Sequence, residues 1–179
     1  VMDHAGIPEN RDLRYYANWY ALFKRLRKKY PRVIFQNCAG GGARIDAGML
    51  QPMSNTWITD QQVAPMSYRV INGCSMLLPM EYMVRGIGGQ NVHVAATLDF
   101  QLNVARFGNP VFSYHIPEWV SMNEAQADKI KRMLRTYKEV LRPVLPGCRV
   151  FHHTPVVDEH APDAAGILEL AAKDRTVAM

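Results

Sequence analysis

Cysteine is scarce in this sequence, with three in 179 residues, at positions 38, 74 and 148. They are odd in number, widely spaced and without a C-x-x-C pair. That argues against a disulfide framework and a zinc ribbon, and suits a reducing compartment. No apolar run reaches the ~18 residues of a membrane-spanning helix. The opening "VMDHAGIPENRDL" lacks the basic-then-apolar pattern of a secretory leader. Together these absences point to a cytoplasmic protein with no membrane partner. An initiator Met is also missing, and "LELAAKDRTVAM" stops inside a strand-like alternation. The chain is therefore expected to be a piece of something longer.

What is present is ordinary for a globular protein: 48% hydrophobic and 21% charged residues. The length suffices for one sizeable domain with a real core. The formal charge of +5 is concentrated in "FKRLRKKYPR" and "KIKRMLR". Such clusters can bind nucleic acid. Here they fall on the polar sides of two amphipathic helical patterns, so solvated helix faces and no nucleic-acid partner are expected.

The periodicity alternates. Tyr16, Trp19, Tyr20, Phe23, Leu26 and Tyr30 predict a helix that Pro31 ends. Val33 to Gln36 predict a short buried strand, Ala43 to Leu50 a short helix, and Thr56 to Thr59 the next strand. Residues 64–78 predict a helix that carries Gly73, and "PMEYMV" another strand. A helix over "LDFQLNVARFG" follows, with Asp99 as N-cap and Gly108 as stop, then a strand over "PVFSYHI". Ser121 and Glu124 suggest a capping box opening a long helix, with Ala127, Ile130, Leu134, Tyr137 and Leu141 on one face. Strand and helix in turn, at about 30 residues per unit, predict an α/β fold with parallel strands and helical crossovers. About four such units fit half of a (β/α)8 barrel. After Gly147 the texture changes to strands with no helix between them, so a domain boundary is placed there.

Residues 37–46, "NCAGGGARID", follow a strand directly. Glycines after a strand often cradle phosphate, but a P-loop needs Gly-Lys-Ser/Thr, and the dinucleotide fingerprint does not fit either. A tight turn is the plain alternative. Fourteen residues after Asp46 comes Asp60, at the end of "NTWITD". In a parallel barrel the C-terminal strand ends face the active site. Cys38 and Asp60 would then stand at neighbouring strand mouths. A carboxyl beside the Trp57 indole suits a sugar, since aromatics cover pyranose faces and carboxyls carry acid–base chemistry.

"NCAGGGARIDAGM" followed by "TWITD" resembles the glycoside hydrolase family 36 α-galactosidases, in residue types and in spacing. The resemblance implies the C-terminal half of a (β/α)8 TIM barrel over residues 1–147, and the beginning of an all-β C-terminal sandwich over 148–179. It implies a fragment of a retaining hydrolase that cleaves terminal α-galactosidic linkages by double displacement, with two carboxyls ~5–5.5 Å apart. Asp60 matches the general acid/base. Cys38 and Gly40 match positions that touch the galactose hydroxyls, and Trp57 matches the strand aromatic near the sugar. No cofactor and no metal are implied; the partner is a galactoside or oligosaccharide, and the full-length protein could form a homo-oligomer.

Three departures stand out. The family's nucleophile, an Asp in an Asp-x-Asn setting upstream of the first helix, is not in this chain, so the fragment alone is expected to be inactive. Ala39 and Thr59 replace serines, and "QQVAP" replaces the usual Thr-Asp after the acid. Two alternatives stay open: a same-clan hydrolase or transglycosidase for another α-linked sugar, and a non-catalytic carbohydrate-binding protein. Of the remaining residues, His152 and His153 should diverge in a strand rather than share a metal. His93 and His115 are read as structural, with His115 a possible pocket residue. Arg44 and Asp46 should organise the loop through an ion pair or a cap. Glu81 is either a second acid at the mouth or a surface carboxylate.

Overall fold

The computed structural model describes residues 11–61, 66–87, 96–112, 123–154, 156, 166–174 and 176–178. Helix α1 (Arg11–Lys29) has Asp12 in its first turn and Arg27, Lys28 and Lys29 in its last, both favourable with the helix dipole. Its aromatic rings touch in series from Tyr15 through Trp19 to Phe23, which meets Phe35 beyond the helix edge-on. Pro31 lies just beyond it, as expected.

Strand β1 is shorter than predicted, spanning Gln36–Asn37, and Ile34 is 75% exposed rather than buried. The reason is local. Val33 N–H bonds back to Tyr30 O, and Arg27 donates to Val33 O. These groups are taken by the turn after α1 and cannot join a ladder. Helix α2 (Ala47–Leu50) follows, then β2 (Asn55–Trp57), α3 (Met66–Cys74), a 3-10 turn at Met80–Tyr82, β3 (Met83–Ile87), α4 (Leu98–Ala105) and β4 (Asn109–Phe112). The four strands form one parallel sheet in chain order. The α/β alternation read from the sequence is therefore present.

Two expected caps are corrected. Thr97, not Asp99, caps α4, accepting from Phe100 N–H at 3.2 Å. Asp99 lies inside the first turn and pairs with Lys129. Helix α5 (Glu124–Thr136) opens on Asn123, whose side chain and that of Gln126 cap each other's backbone. The reciprocal pattern is that of a capping box, begun two residues after Ser121, which lies outside the described residues. His93 and His115 also lie outside them. A π-turn at Tyr137–Leu141 continues α5, with Arg142 N–H bonded to Tyr137 O at 2.7 Å.

Beyond Gly147, in the left-handed region at φ +66, strands β5 (Arg149–His152), β6 (Leu168–Ala171) and β7 (Thr176–Ala178) form an antiparallel sheet. The core gathers Ile58, Ile71, Met83, Ile87, Leu102, Met133 and Leu141 from the parallel half. Leu168 and Leu170 of β6 enter the same cluster, so the two sheets share buried apolar surface across the turn.

Candidate active site

Parallel pairing of Gln36 with Asn55 makes β1 and β2 end at the same edge of the sheet. Cys38 leaves β1 there and Asp60 leaves β2 there, as anticipated for neighbouring strand mouths. Cys38, Gly40 and Asp60 are all exposed. Trp57 is the last residue of β2 and only 6% exposed. Its indole Nε1–H donates to Asp60 Oδ1 at 2.7 Å. The ring is packed in the sheet, and its polar edge meets the carboxyl at the rim.

The glycine loop is held at both ends. Asn37, 4% exposed, donates from Nδ2 to Arg44 O at 2.6 Å and to Thr56 Oγ1 at 3.1 Å. One buried amide thus fastens the end of the loop to β2. Asp46 caps α2 by accepting from Met49 N–H at 2.9 Å, and Tyr20 O–H donates to the same oxygen at 2.9 Å. Of the two roles considered for Asp46 and Arg44, the cap is the one present; Arg44 lies over the Trp19 ring at 4.9 Å instead of pairing with Asp46.

The glycines answer to the Asp60 segment. Gly41 has φ +77, and a Cβ there would stand 3.0 Å from Asp60 N. A Cβ on Gly42 would collide with Ile58 O. The close approach that these two residues permit is therefore backbone on backbone, loop against strand end. Gly40, in contrast, faces open space.

Sequence reasoning missed Arg85. It sits in β3, 2% exposed, and donates to Gln61 O at 2.8 Å and Thr59 O at 3.4 Å. Burial pushes its guanidinium down to about 10. The available signal was a cation inside the apolar run "YMVRGI". These bonds also explain why β2 ends at Trp57 and not at Thr59: the Thr59 and Gln61 carbonyls go to the guanidinium, not to a ladder.

Glu81 does not join the rim. It lies in the 3-10 turn before β3, at the opposite end of the strand, where Oε1 accepts from Gly147 N–H at 3.1 Å. His152 and His153 diverge as expected, one to Ser75 Oγ at 2.9 Å and the other to Glu169 at 2.7 Å. Among the described residues no cluster of His, Cys, Asp or Glu could hold a metal ion, and no helix is long and apolar enough to cross a membrane.

Residues 5–147 match the melibiase family. The chain belongs to that family. Its curated relatives include α-galactosidase AgaA of Geobacillus stearothermophilus, 30% identical over 134 residues, a match covering 73% of this chain and 18% of AgaA. The Escherichia coli α-galactosidase is 29% identical over 124 residues, covering 68% of this chain and 17% of the relative. Among solved structures, a family 36 AgaA variant in complex with raffinose superposes with a TM-score of 0.74 at 22% identity, over 89% of this chain and 22% of that one. The α-galactosidase of Lactobacillus brevis gives 0.72 at 23% identity, over 89% of this chain and 21% of that one. This melibiase-family chain is thus α-galactosidase-like in sequence and shares the mixed α/β fold of those enzymes. It spans about a fifth of their length.

Proposed function

We propose that this melibiase-family chain is part of a retaining glycoside hydrolase that removes terminal α-galactosyl groups. Residues 1–147 would form the C-terminal half of its (β/α)8 barrel, and 148–179 the start of a β-sandwich. The observation that carries the reading is the Trp57–Asp60 hydrogen bond at the sheet edge shared with Cys38 and the glycine loop. A carboxyl anchored through Oδ1 keeps a fixed direction. Its other oxygen can then bear the proton that a departing glycosidic oxygen must receive, and take it back from water in the second step. Cys38 and Gly40, exposed beside it, would contact the sugar hydroxyls. The nucleophilic carboxylate would come from a part of the protein beyond these residues. Raffinose is bound by the related AgaA variant, and a galactoside is the corresponding substrate here.

The test is galactose release from melibiose and raffinose by the full-length protein and its Asp60→Ala variant. Release by the wild type with a loss of ~10²-fold or more in the variant is expected for a general acid. Equal release by both would remove Asp60 from the role. Release by neither would redirect the reading to another sugar.

A further inference from the structure

Arg85 is an unusual choice for the interior of β3. Its charge is desolvated, and no carboxylate is among its described partners, an arrangement that is a poor source of stability. Desolvation alone accounts for its lowered pKa, and its bonds among the described residues go to backbone carbonyls. An apolar side chain of similar volume would pack at that place without the desolvation penalty. What such a side chain could not do is hold two acceptors at once.

Those acceptors are not arbitrary. Thr59 O and Gln61 O are the carbonyls on either side of Asp60. From a second direction Gly41 lies so near that a Cβ on it would stand 3.0 Å from Asp60 N and 3.3 Å from the Thr59 Cα, and from a third Trp57 Nε1 holds the carboxyl. We infer that Arg85 is a positioning residue for Asp60, fixing the backbone that carries the acid/base so that its carboxyl is aimed before substrate arrives. The inference rests on the reading of Asp60 given above. It requires the planar fork of arginine, because a lysine ammonium is a point donor that cannot span both carbonyls in one fixed geometry.

The experiment uses the full-length protein with Arg85→Met, Arg85→Lys and Asp60→Ala. kcat/KM is measured on melibiose, whose leaving group needs a proton, and on an activated aryl α-galactoside, whose leaving group does not. The ratio of the two values is independent of the fraction of folded enzyme, so a loss of stability does not move it. Misplacing an acid hurts the first substrate selectively. Arg85→Met is expected to lower the melibiose-to-aryl ratio ~10-fold or more, and Arg85→Lys to lower it less. An unchanged ratio in both arginine variants, beside a selective loss in Asp60→Ala, would overturn the role of Arg85 and leave Asp60 standing. No selective loss in Asp60→Ala would overturn both.

Discussion

Trp57 Nε1 stands 2.7 Å from Asp60 Oδ1, three residues along the same chain, one residue buried and the other exposed. The contact couples packing to the rim: a ring locked in the sheet fixes the direction of a carboxyl there. Trp57→Phe keeps most of the ring and deletes the donor. A hydrogen bond to a charged group is worth ~1.5–3 kcal/mol. The full-length variant is expected to lose ~10-fold or more of its kcat/KM on melibiose and much less on an activated aryl galactoside. Unchanged melibiose turnover would show that the indole only fills space.

Two glycines should answer oppositely to alanine. Gly41 sits at φ +77 with Asp60 N 3.0 Å from where a Cβ would be. Gly41→Ala is expected to destabilise by ~1–3 kcal/mol through backbone strain and to reduce activity by displacing Asp60. Gly73 lies inside α3 with nothing within 4 Å of a Cβ. Gly73→Ala should stabilise by ~0.5–1 kcal/mol and leave turnover unchanged. Denaturant melts of the two variants beside wild type check both signs, and a loss in Gly73→Ala would mean that the helix end is crowded.

The alkaline side of the stability profile follows from buried thiols and phenols. Burial raises Cys74 and Cys148 from 9.0 and Tyr68 and Tyr137 from 10.0. With raised folded values, the unfolded chain releases these protons first as pH rises. Their contribution is thus complete below pH 9 for the thiols and below 10 for the phenols, and is lost as pH climbs through the raised values. The lowered guanidinium of Arg85 has the opposite slope, but only above about pH 10. Thermal melting from pH 7 upward should be level at first and then decline from about pH 9, and Cys74→Val should flatten the first part of that decline. A melting temperature that rises there would contradict the burial of these groups.

Periodicity carried the order of elements because helix and strand bury different spacings, and α5 shows it. Ile130, Leu134, Tyr137 and Leu141 do line one face, joined by Met133. Strand ends and caps were less legible, since they depend on which distant group takes a backbone atom. Asn123 and Ser121 are both acceptable caps in sequence, and only the Gln126 side chain selects the first. Val33 and Ile34 have strand-forming side chains, yet Arg27 claims the Val33 carbonyl. The pairing of Asp60 with the Trp57 indole was legible because the two stand three residues apart at a strand end. Arg85 binds carbonyls at the end of another strand and Asn37 the Arg44 carbonyl and the Thr56 hydroxyl, and no sequence pattern records such partners.

The outer strands of the parallel sheet bear directly on how these 179 residues behave alone. Among the described residues β1 pairs only with β2, and β4 only with β3. Val33 and Ile34 flank the first edge exposed, and Val111 and Phe112 the second. Leu13, Tyr15 and Tyr16 add exposed apolar surface on α1. An open parallel sheet with apolar edges is a template for further pairing, and α/β sheets bury their strands on both faces. Expressed by itself, the chain is expected to self-associate, eluting earlier from a sizing column as its concentration rises. Ile34→Lys, which places a charge beside β1 without touching the core, should weaken that association and leave the far-ultraviolet circular dichroism unchanged. A monomer that elutes at one volume over a hundredfold range of concentration, with a sharp melting transition, would show instead that these edges are already satisfied within the chain.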